Sequence, residues 1–145
     1  MTTVAWDGEY LASDSMVSSA FSRSARKIFH ISENVFFGGC GYREDNLAVK
    51  EYLELDPYIT NKIDRNKLEL SDTFAGILII RGLAYRIEQN LMKDPIMEKF
   101  HAVGSGAPFA IAAMHMGANA IEAVRISTIY DPESSGEIQV IKLPK

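Results

Sequence analysis

The order of strand-like and helix-like segments limits the fold of this chain more than any other feature. Alternating and β-branched apolar runs predict strands, whereas apolar residues at helical spacing predict helices. The predicted segments are, in chain order, hairpins at 2–13 and 27–37, a helix at 43–55, strands at 73–80, 83–87 and 100–103, helices at 108–116 and 120–126, and a strand at 137–143. This order lacks the strict alternation of a doubly wound parallel sheet. It predicts an α+β fold in which two antiparallel sheets pack together with helices outside.

Turn residues predict how the first strands are connected. Asp7-Gly8 is a dipeptide that two-residue type I′ turns prefer. Such a turn sets Thr2 opposite Ser13 and brings Asp14 beside the chain start. Residues 15–24 contain five serines and no sustained pattern, which predicts a loop. The second hairpin is predicted to turn at residues 33–34.

The helical patterns carry their own boundary signals. Asp56-Pro57 ends the first helix, whose buried face is predicted to contain Leu47, Tyr52 and Leu55. Residues 58–72 are polar and ambiguous, with room for a short second helix. Gly117 ends the second predicted helix, and Asn119 caps the third.

Composition excludes several classes of protein. The 145 residues fit a single domain over 1–145, with 47% apolar and 23% charged residues, as in soluble globular proteins. A net charge of −4 argues against nucleic acid as the main partner. No apolar run reaches the ~18–20 residues of a membrane span, and no secretion signal is evident. The single cysteine, Cys40, cannot form an internal disulfide, which fits a reducing cytoplasm.

Thr2 is a candidate nucleophile if Met1 is removed. A threonine hydroxyl becomes nucleophilic only when a base takes its proton, and a free α-amino group can be that base. Such an amine titrates at about 7.7–8.0 when unperturbed, so a useful fraction is neutral near physiological pH. Met-Thr is a start from which the initiator methionine is commonly removed. The same start also occurs in ordinary proteins, where Thr2 is only a β-branched strand residue.

Four segments in order give the chain a resemblance to a known family. They are Thr-Thr-Val-Ala-Trp with Leu-Ala-Ser-Asp-Ser at 2–6 and 11–15, Ala-Arg-Lys-Ile at 25–28, Phe-Gly-Gly-Cys-Gly at 37–41, and Ala-Val-Gly-Ser-Gly-Ala-Pro-Phe-Ala at 102–110. Together they resemble the proteasome β subunits and the bacterial peptidase HslV, which are N-terminal-nucleophile hydrolases. The last segment is the most specific match. The resemblance implies a four-layer αββα sandwich of two antiparallel sheets flanked by helices.

The resemblance also implies a set of catalytic roles. Thr2 attacks the scissile carbonyl, and the charge of Lys27 lowers the pKa of the hydroxyl and the amine. Asp14 pairs with Lys27, because a partly buried ammonium is costly without a partner. The backbone N–H of Gly41, or of Gly39 if the alignment slips, faces the developing oxyanion. Ser105 hydrogen-bonds near the amine and helps to move protons.

Taken without the resemblance, the same residues have simpler interpretations. Asp14 is then a turn residue, Lys27 a solvated strand-edge charge, and 104–106 a tight strand-to-helix turn. Cys40 is predicted to be a small buried residue. No metal-ligand spacing relates this cysteine to the three histidines, which are His30, His101 and His115.

Two further expectations follow from the resemblance. No cofactor is required, but a structural monovalent or divalent cation could be held by the backbone carbonyls of Thr128, Asp131 and Ser134. The chain departs from the family in a shorter Thr2–Asp14 spacing and in a shortened first helical layer at 42–72. That layer helps to form ring contacts and the docking face for an unfoldase in the relatives.

The sequence therefore predicts a cytoplasmic threonine-type peptidase that acts on polypeptides, forms a homo-oligomeric ring and is served by an ATP-dependent unfoldase. One alternative is an N-terminal-nucleophile amidohydrolase that acts on a small amide, since the same fold hosts several such activities. Another is a non-catalytic assembly protein on the same scaffold. Retention of Thr2, Asp14, Lys27 and Ser105 together argues against the last.

Overall fold

Two antiparallel sheets form the centre of the computed structural model, which describes residues 2–17, 23–60 and 68–145. The strands of the described residues are β1 (Val4–Trp6), β2 (Tyr10–Ser13), β3 (Met16–Val17), β4 (Arg23–Ser24), β5 (Ile28–Ser32), β6 (Val35–Cys40), β7 (Ala75–Ile80), β8 (Leu83–Glu88), β9 (Asp94–Pro95), β10 (His101–Val103) and β11 (Gln139–Lys142). The helices of the same residues are α1 (Arg43–Leu55), α2 (Ala107–His115) and α3 (Ala120–Tyr130).

The strands are ordered β10-β1-β2-β11 in a four-stranded sheet and β5-β6-β7-β8-β9 in a five-stranded sheet. All pairings within these sheets are antiparallel. Strands β3 and β4 form a separate two-stranded ribbon, although residues 15–24 were expected to be an unpaired loop. The part of that loop between the two strands lies outside the described residues.

Period-two alternation along the strands separates three apolar clusters. Val4 and Trp6 of β1 point into the space between the sheets, whereas Ala5 points to the helices α2 and α3. In β6, Phe36 faces the first sheet and Phe37 faces α1. Because each sheet is covered on both faces, the layers run helix, sheet, sheet, helix. The predicted α+β sandwich of two antiparallel sheets flanked by helices is confirmed.

The small size of the outer-facing residues explains how closely α2 and α3 approach the first sheet. The cluster between them consists largely of alanines that are fully buried or nearly so: Ala5, Ala12, Ala102, Ala110, Ala120 and Ala123. This close contact brings the start of α2 and the end of α3 to the same end of the first sheet as residues 2 and 3. None of the described helices is long and apolar enough to cross a membrane.

The first hairpin differs from its predicted register. Val4 pairs with Ser13 and Trp6 with Leu11, which moves the register by two residues and widens the loop. Asp7 is the cause, since its Oδ1 accepts the N–H groups of Glu9 and Tyr10 at 2.8 and 2.7 Å. An Asx turn of this kind replaces the two-residue type I′ turn.

The buried face of α1 also differs from the prediction. Tyr52 is buried as expected, but Leu47 and Leu55 are exposed. Asp45 and Asn46 occupy the buried face instead, together with Val49 and Leu53. Asp45 Oδ2 accepts the Ser71 hydroxyl at 2.7 Å, and Asn46 Nδ2 donates to the Gly39 carbonyl at 3.2 Å. Tertiary partners therefore decide which side of this helix faces inward.

Other local predictions are confirmed. The second hairpin turns at residues 33–34, α1 ends at Leu55 with Asp56 as its C-cap, and α3 begins with an Asn119–Glu122 capping box. Helix α3 continues to Tyr130, four residues beyond its predicted end. Of the segment 58–72, residues 58–60 and 68–72 contain no helix, while 61–67 lie outside the described residues.

Candidate active site

Thr2, Asp14 and Lys27 meet where three strands begin or end. Thr2 precedes β1 and Asp14 follows β2, so the antiparallel pairing of these strands brings both to one end of the first sheet. Lys27 precedes β5 in the other sheet and reaches across the gap between the sheets. All three residues are at most 3% exposed. The widened first loop leaves this end of the hairpin intact, since the Asp14 N–H donates to the Thr3 carbonyl at 3.2 Å.

The ammonium of Lys27 contacts the candidate nucleophile directly. Its Nζ donates to Thr2 Oγ1 at 2.6 Å and to Asp14 Oδ1 at 3.0 Å. Burial lowers the pKa of Lys27 below that of an ordinary lysine, because lost hydration outweighs the attraction of the Asp14 carboxylate. A cation at this distance favours the alkoxide form of the Thr2 hydroxyl.

Asp14 is held by donors on both carboxylate oxygens. Its Oδ1 accepts the Thr3 N–H at 3.1 Å as well as Lys27 Nζ, and its Oδ2 accepts the Ser135 N–H at 3.0 Å. Charge-assisted bonds of this kind are stronger than neutral ones. The carboxylate is therefore fixed beside Lys27, which keeps the ammonium against Thr2.

The turn at 104–106 seats the first residues of the chain. The carbonyl oxygen of Thr2 accepts the Gly106 N–H at 3.3 Å. A Cβ on Gly104, which has φ +103°, would overlap that carbonyl oxygen, and a Cβ on Gly106 would overlap Thr3 Oγ1. Both glycines are thus required by the close approach of residues 2 and 3, which gives the Gly-Ser-Gly segment a structural reason.

Ser105 lies between the Thr2 nitrogen and a carboxylate. The Thr2 N–H donates to Ser105 Oγ at 3.2 Å, and Ser105 Oγ donates to Asp131 Oδ2 at 2.6 Å. Ser105 Oγ is also 3.4 Å from the Thr2 carbonyl, but a single hydroxyl proton goes to the shorter, charge-assisted bond. Ser105 therefore accepts from the Thr2 nitrogen.

The side chains of Asp131 and Ser134 join this network, although the sequence predicted a role only for their backbone carbonyls. Ser134 Oγ donates to the same Asp131 Oδ2 at 2.6 Å. Burial raises the pKa of the Asp131 carboxyl, but the hydrogen bonds from Ser105, Ser134 and the Glu133 N–H together lower it below its usual value. Asp131 follows the last turn of α3, where the helix dipole disfavours a negative charge. Because the predicted helix ended at residue 126, this placement of Asp131 at the helix terminus was not visible in the sequence.

The two predicted oxyanion donors differ in their surroundings. The Gly39 N–H donates to the Lys27 carbonyl at 3.2 Å, so sheet pairing occupies the donor that this role would need. Gly41 follows the end of β6 with φ +96°, a backbone conformation that a side chain would strain. Of the two glycines, Gly41 is the one whose N–H stays a predicted donor to the oxyanion.

One of the three backbone carbonyls in the predicted cation site already accepts a hydrogen bond within the chain. The Asp131 carbonyl accepts the Ser134 N–H at 3.2 Å, and a cation at that carbonyl would have to share it. Thr128 lies within the last turn of α3. Among the described residues, no group of three or more His, Cys, Asp or Glu side chains could hold a metal ion. The carbonyl-held cation stays a prediction, and no chemical step below depends on it.

Comparisons with known proteins agree with this architecture. No protein-family model matches the sequence, and no characterised protein matches it significantly. Among solved structures, HslV from Trypanosoma brucei is similar at 21% identity and a TM-score of 0.73, over 99% of each chain. BPH from Thiobacillus denitrificans is similar at 16% identity and a TM-score of 0.68, over 99% of this chain and 98% of that one. Its complex with epoxomicin gives the same identity and TM-score, over 99% of each chain.

These similarities extend over nearly the whole length of each chain, at identities that establish the fold alone. The layer order, the antiparallel sheets and the flanking helices are those expected from the resemblance of the four sequence segments. The chain therefore has the N-terminal-nucleophile hydrolase fold of HslV.

Proposed function

We propose that this protein is a threonine-type peptidase that uses Thr2 as its nucleophile after Met1 has been removed. The observation that carries the proposal is the 2.6 Å contact between Lys27 Nζ and Thr2 Oγ1 in a buried site. The same threonine has Ser105 at its backbone nitrogen, 3.2 Å away. One residue thus has a cation at its hydroxyl and a hydrogen-bond acceptor at its nitrogen, which is the pairing that an amine-activated hydroxyl needs.

In the proposed reaction the neutral α-amine of Thr2 takes the hydroxyl proton, and Oγ1 attacks the scissile carbonyl carbon. The N–H of Gly41 donates to the oxyanion of the tetrahedral intermediate. Collapse breaks the C–N bond, and the Thr2 ammonium returns the proton to the leaving amine. Water then hydrolyses the ester formed at Oγ1, with the amine again acting as base.

The direction of each hydrogen bond supports this assignment of the base. Because Ser105 gives its single proton to Asp131, its oxygen accepts the backbone N–H of Thr2, and the same oxygen would accept an N–H of the amine once Met1 is removed. An accepted N–H fixes the rotation of the amine and leaves its lone pair available to the hydroxyl. Lys27 meanwhile donates to Oγ1 and stabilises the negative charge that develops there.

A peptide epoxyketone is the sharpest probe of the free amine. Its ketone and its epoxide can be attacked in turn by a hydroxyl and an adjacent amine, so complete reaction needs both groups on one residue. BPH, one of the structurally similar proteins, has been solved with epoxomicin. We expect one equivalent to add to the wild-type protein and none to Thr2→Ala, as measured by intact mass.

The same mass measurement supplies the controls for this experiment. Unmodified protein must lack Met1, since a retained methionine leaves no amine on Thr2. Equal labelling of wild type and Thr2→Ala would contradict the proposal. Turnover of small amides, with peptides and unfolded proteins spared, would instead favour the small-amide hydrolase.

The proposal predicts a bell-shaped dependence of the labelling rate on pH. The rate rises as the Thr2 ammonium loses its proton, because only the neutral amine is a base. It falls when Lys27 becomes neutral, and this fall occurs below the pH at which an ordinary lysine titrates, because burial lowers the pKa of Lys27. Rate constants measured from pH 5 to 11 would show both limbs. A rate that still rises beyond the pKa of an ordinary lysine, about 10.4, would contradict the role of the Lys27 charge.

The assembly part of the proposal is a homo-oligomeric ring in the cytoplasm that degrades polypeptides delivered by an ATP-dependent unfoldase. Its support is the structural similarity to HslV and the large apolar side chains on the outer helices. Leu55 on α1 and Ile129 and Tyr130 on α3 are each at least 64% exposed. Exposed apolar surface of this kind is typical of interfaces. Sedimentation velocity would separate a ring from a monomer or dimer.

A further inference from the structure

We propose that Thr3 is a positioning residue, whose hydroxyl holds Ser134 against Asp131 and thereby keeps Ser105 at the nitrogen of Thr2. This inference rests on the proposed function, since positioning affects chemistry only if Thr2 reacts. Thr3 Oγ1 lies 2.8 Å from Ser134 Oγ, and both residues are at most 1% exposed. A threonine beside the nucleophile would otherwise be explained as a buried strand residue.

Proton counting assigns the direction of the Thr3–Ser134 bond. The carboxylate of Asp131 can only accept, so Ser134 must give its one hydroxyl proton to Oδ2 at 2.6 Å. Ser134 then has only lone pairs to offer to Thr3. Thr3 Oγ1 is therefore the donor, and the chain runs from Thr3 through Ser134 to Asp131, which also receives the proton of Ser105.

This direction makes the Thr3 hydroxyl important for the geometry around Asp131. Donation from Thr3 polarises the Ser134 hydroxyl and strengthens its bond to the carboxylate. Two short bonds then converge on one oxygen and fix the position at which Ser105 meets Asp131. Loss of the donor would weaken the bond from Ser134 to the carboxylate and loosen one of the two supports of Oδ2.

Thr3 also connects the two halves of the site through its backbone. Its N–H donates to Asp14 Oδ1 at 3.1 Å, and its carbonyl accepts the Asp14 N–H at 3.2 Å. The backbone of Thr3 is thus tied to the carboxylate that holds Lys27. Its side chain is tied to Ser134, which donates to the carboxylate that holds Ser105. A single buried residue thereby fixes the groups at the Thr2 hydroxyl relative to those at the Thr2 nitrogen.

The test compares hydroxyl-containing and hydroxyl-free residues at position 3. Thr3→Val keeps the β-branched shape and removes the donor, while Thr3→Ser keeps the donor. We expect Thr3→Val to lower the maximal rate of epoxyketone modification on the order of 10-fold, with an unchanged half-saturating concentration, as a slight misplacement of reacting groups predicts. Thr3→Ser should retain most of the wild-type rate. If Thr3 had only a structural role, its replacement would not lower the maximal rate while leaving the half-saturating concentration unchanged.

Thr60→Val is the matched control. Thr60 Oγ1 donates to Asp56 Oδ1 at 2.7 Å beside α1, on the outer face of the other sheet. This variant also removes one threonine hydroxyl with a short bond to an acceptor, and its modification rate should equal that of wild type. A second pair, Thr3→Ser against Thr3→Ala, isolates the hydroxyl again in case valine cannot be accommodated.

Crystal structures of wild type and Thr3→Val supply a readout that does not depend on reactivity. We expect Ser134 Oγ to lie farther from Asp131 Oδ2 in the variant than its 2.6 Å in the wild type, because the bond is no longer strengthened by donation from Thr3. A wild-type rate in Thr3→Val, equal rates in Thr3→Ser and Thr3→Ala, an unmoved Ser134, or unfolding of both hydroxyl-free variants would overturn the inference. A wild-type protein that takes up no epoxyketone would instead refute the proposed function, and the structures would still test the Thr3–Ser134 contact.

Discussion

Lys27→Met is expected to lower the rate of epoxyketone modification at Thr2 by about 10³-fold. Methionine fills a similar volume but cannot place a charge 2.6 Å from Thr2 Oγ1. Two unit charges near 4 Å interact by about 4 kcal/mol at the effective dielectric of a partly screened site. Each 1.36 kcal/mol of lost transition-state stabilisation is tenfold in rate, which gives the expected factor of about 10³. Intact-mass measurements on samples quenched at successive times would follow the reaction over this range.

Folding must be measured in the same variant, because the substitution also leaves Asp14 without its cation. Breaking a buried ion pair costs about 3–5 kcal/mol in general. The Thr3 and Ser135 N–H groups still donate to the carboxylate, so the loss should stay toward the lower end of that range. Thermal unfolding would check that the variant remains folded where labelling is assayed.

Lys50→Met is the control for the Lys27 substitution. Lys50 Nζ pairs with Glu54 Oε1 at 3.0 Å on the exposed side of α1, and both side chains are at least a third exposed. Removing a lysine from an exposed pair costs at most about 1 kcal/mol. We expect this variant to react at the wild-type rate. Modification of Lys27→Met at the wild-type rate would show that the ammonium has no part in activating Thr2.

Local chemistry accounts for the parts of the fold that the sequence predicted. The alternation in β1 and β6 places Trp6 and Phe36 between the sheets and Ala5 and Phe37 on the outer faces, a pattern that the side-chain period of a strand imposes. The cap of α3 is equally local, because Asn119 and Glu122 complete it between themselves. Such elements can be predicted without considering residues far along the chain.

The predictions from sequence were wrong where a partner far along the chain decides the local conformation. Asp7 organises a wider first loop, and its Oδ2 also accepts the Ala120 N–H at the start of α3, 113 positions away. Asp45 and Asn46 face inward on α1, where the Ser71 hydroxyl donates to the Asp45 carboxylate and Asn46 Nδ2 donates to the Gly39 carbonyl. A hydropathy pattern assigns such polar residues to solvent, since burial of a polar group is costly without a partner that the pattern does not contain.

The residues of the candidate site also divide into those that the sequence predicted and those that only the fold reveals. Thr2, Asp14, Lys27 and Ser105 lie in segments with recognisable neighbours, and the structure brings all four together. Asp131 and Ser134 were expected to offer backbone carbonyls, yet their side chains bind Ser105 and Thr3. The segment 131–138 that follows α3 has no pattern that reports a contact with residues 3 and 105, so only the fold reveals that contact.

Gly104→Ala is expected to damage both stability and reactivity. The residue has φ +103°, a conformation that costs a side-chain-bearing residue about 1–3 kcal/mol. Its new Cβ would also overlap the Thr2 carbonyl oxygen, and such overpacking costs about 1–3 kcal/mol more. We expect the free energy of unfolding to fall by about 2–6 kcal/mol, measured by urea denaturation. This is a large share of the ~5–15 kcal/mol that stabilises a typical domain.

Gly117→Ala separates the backbone strain from the clash. Gly117 has φ +109° but has no atom within 4 Å of the position that a Cβ would take. Its replacement should cost only the conformational part, about 1–3 kcal/mol, and leave the labelling rate unchanged. Gly104→Ala should lose more stability, and its labelling should slow on the order of 100-fold because Thr2 is pushed away from Lys27 and Ser105. Equal effects of the two alanines on stability and labelling would mean that Thr2 does not sit against the turn at 104–106, and the site geometry would be wrong.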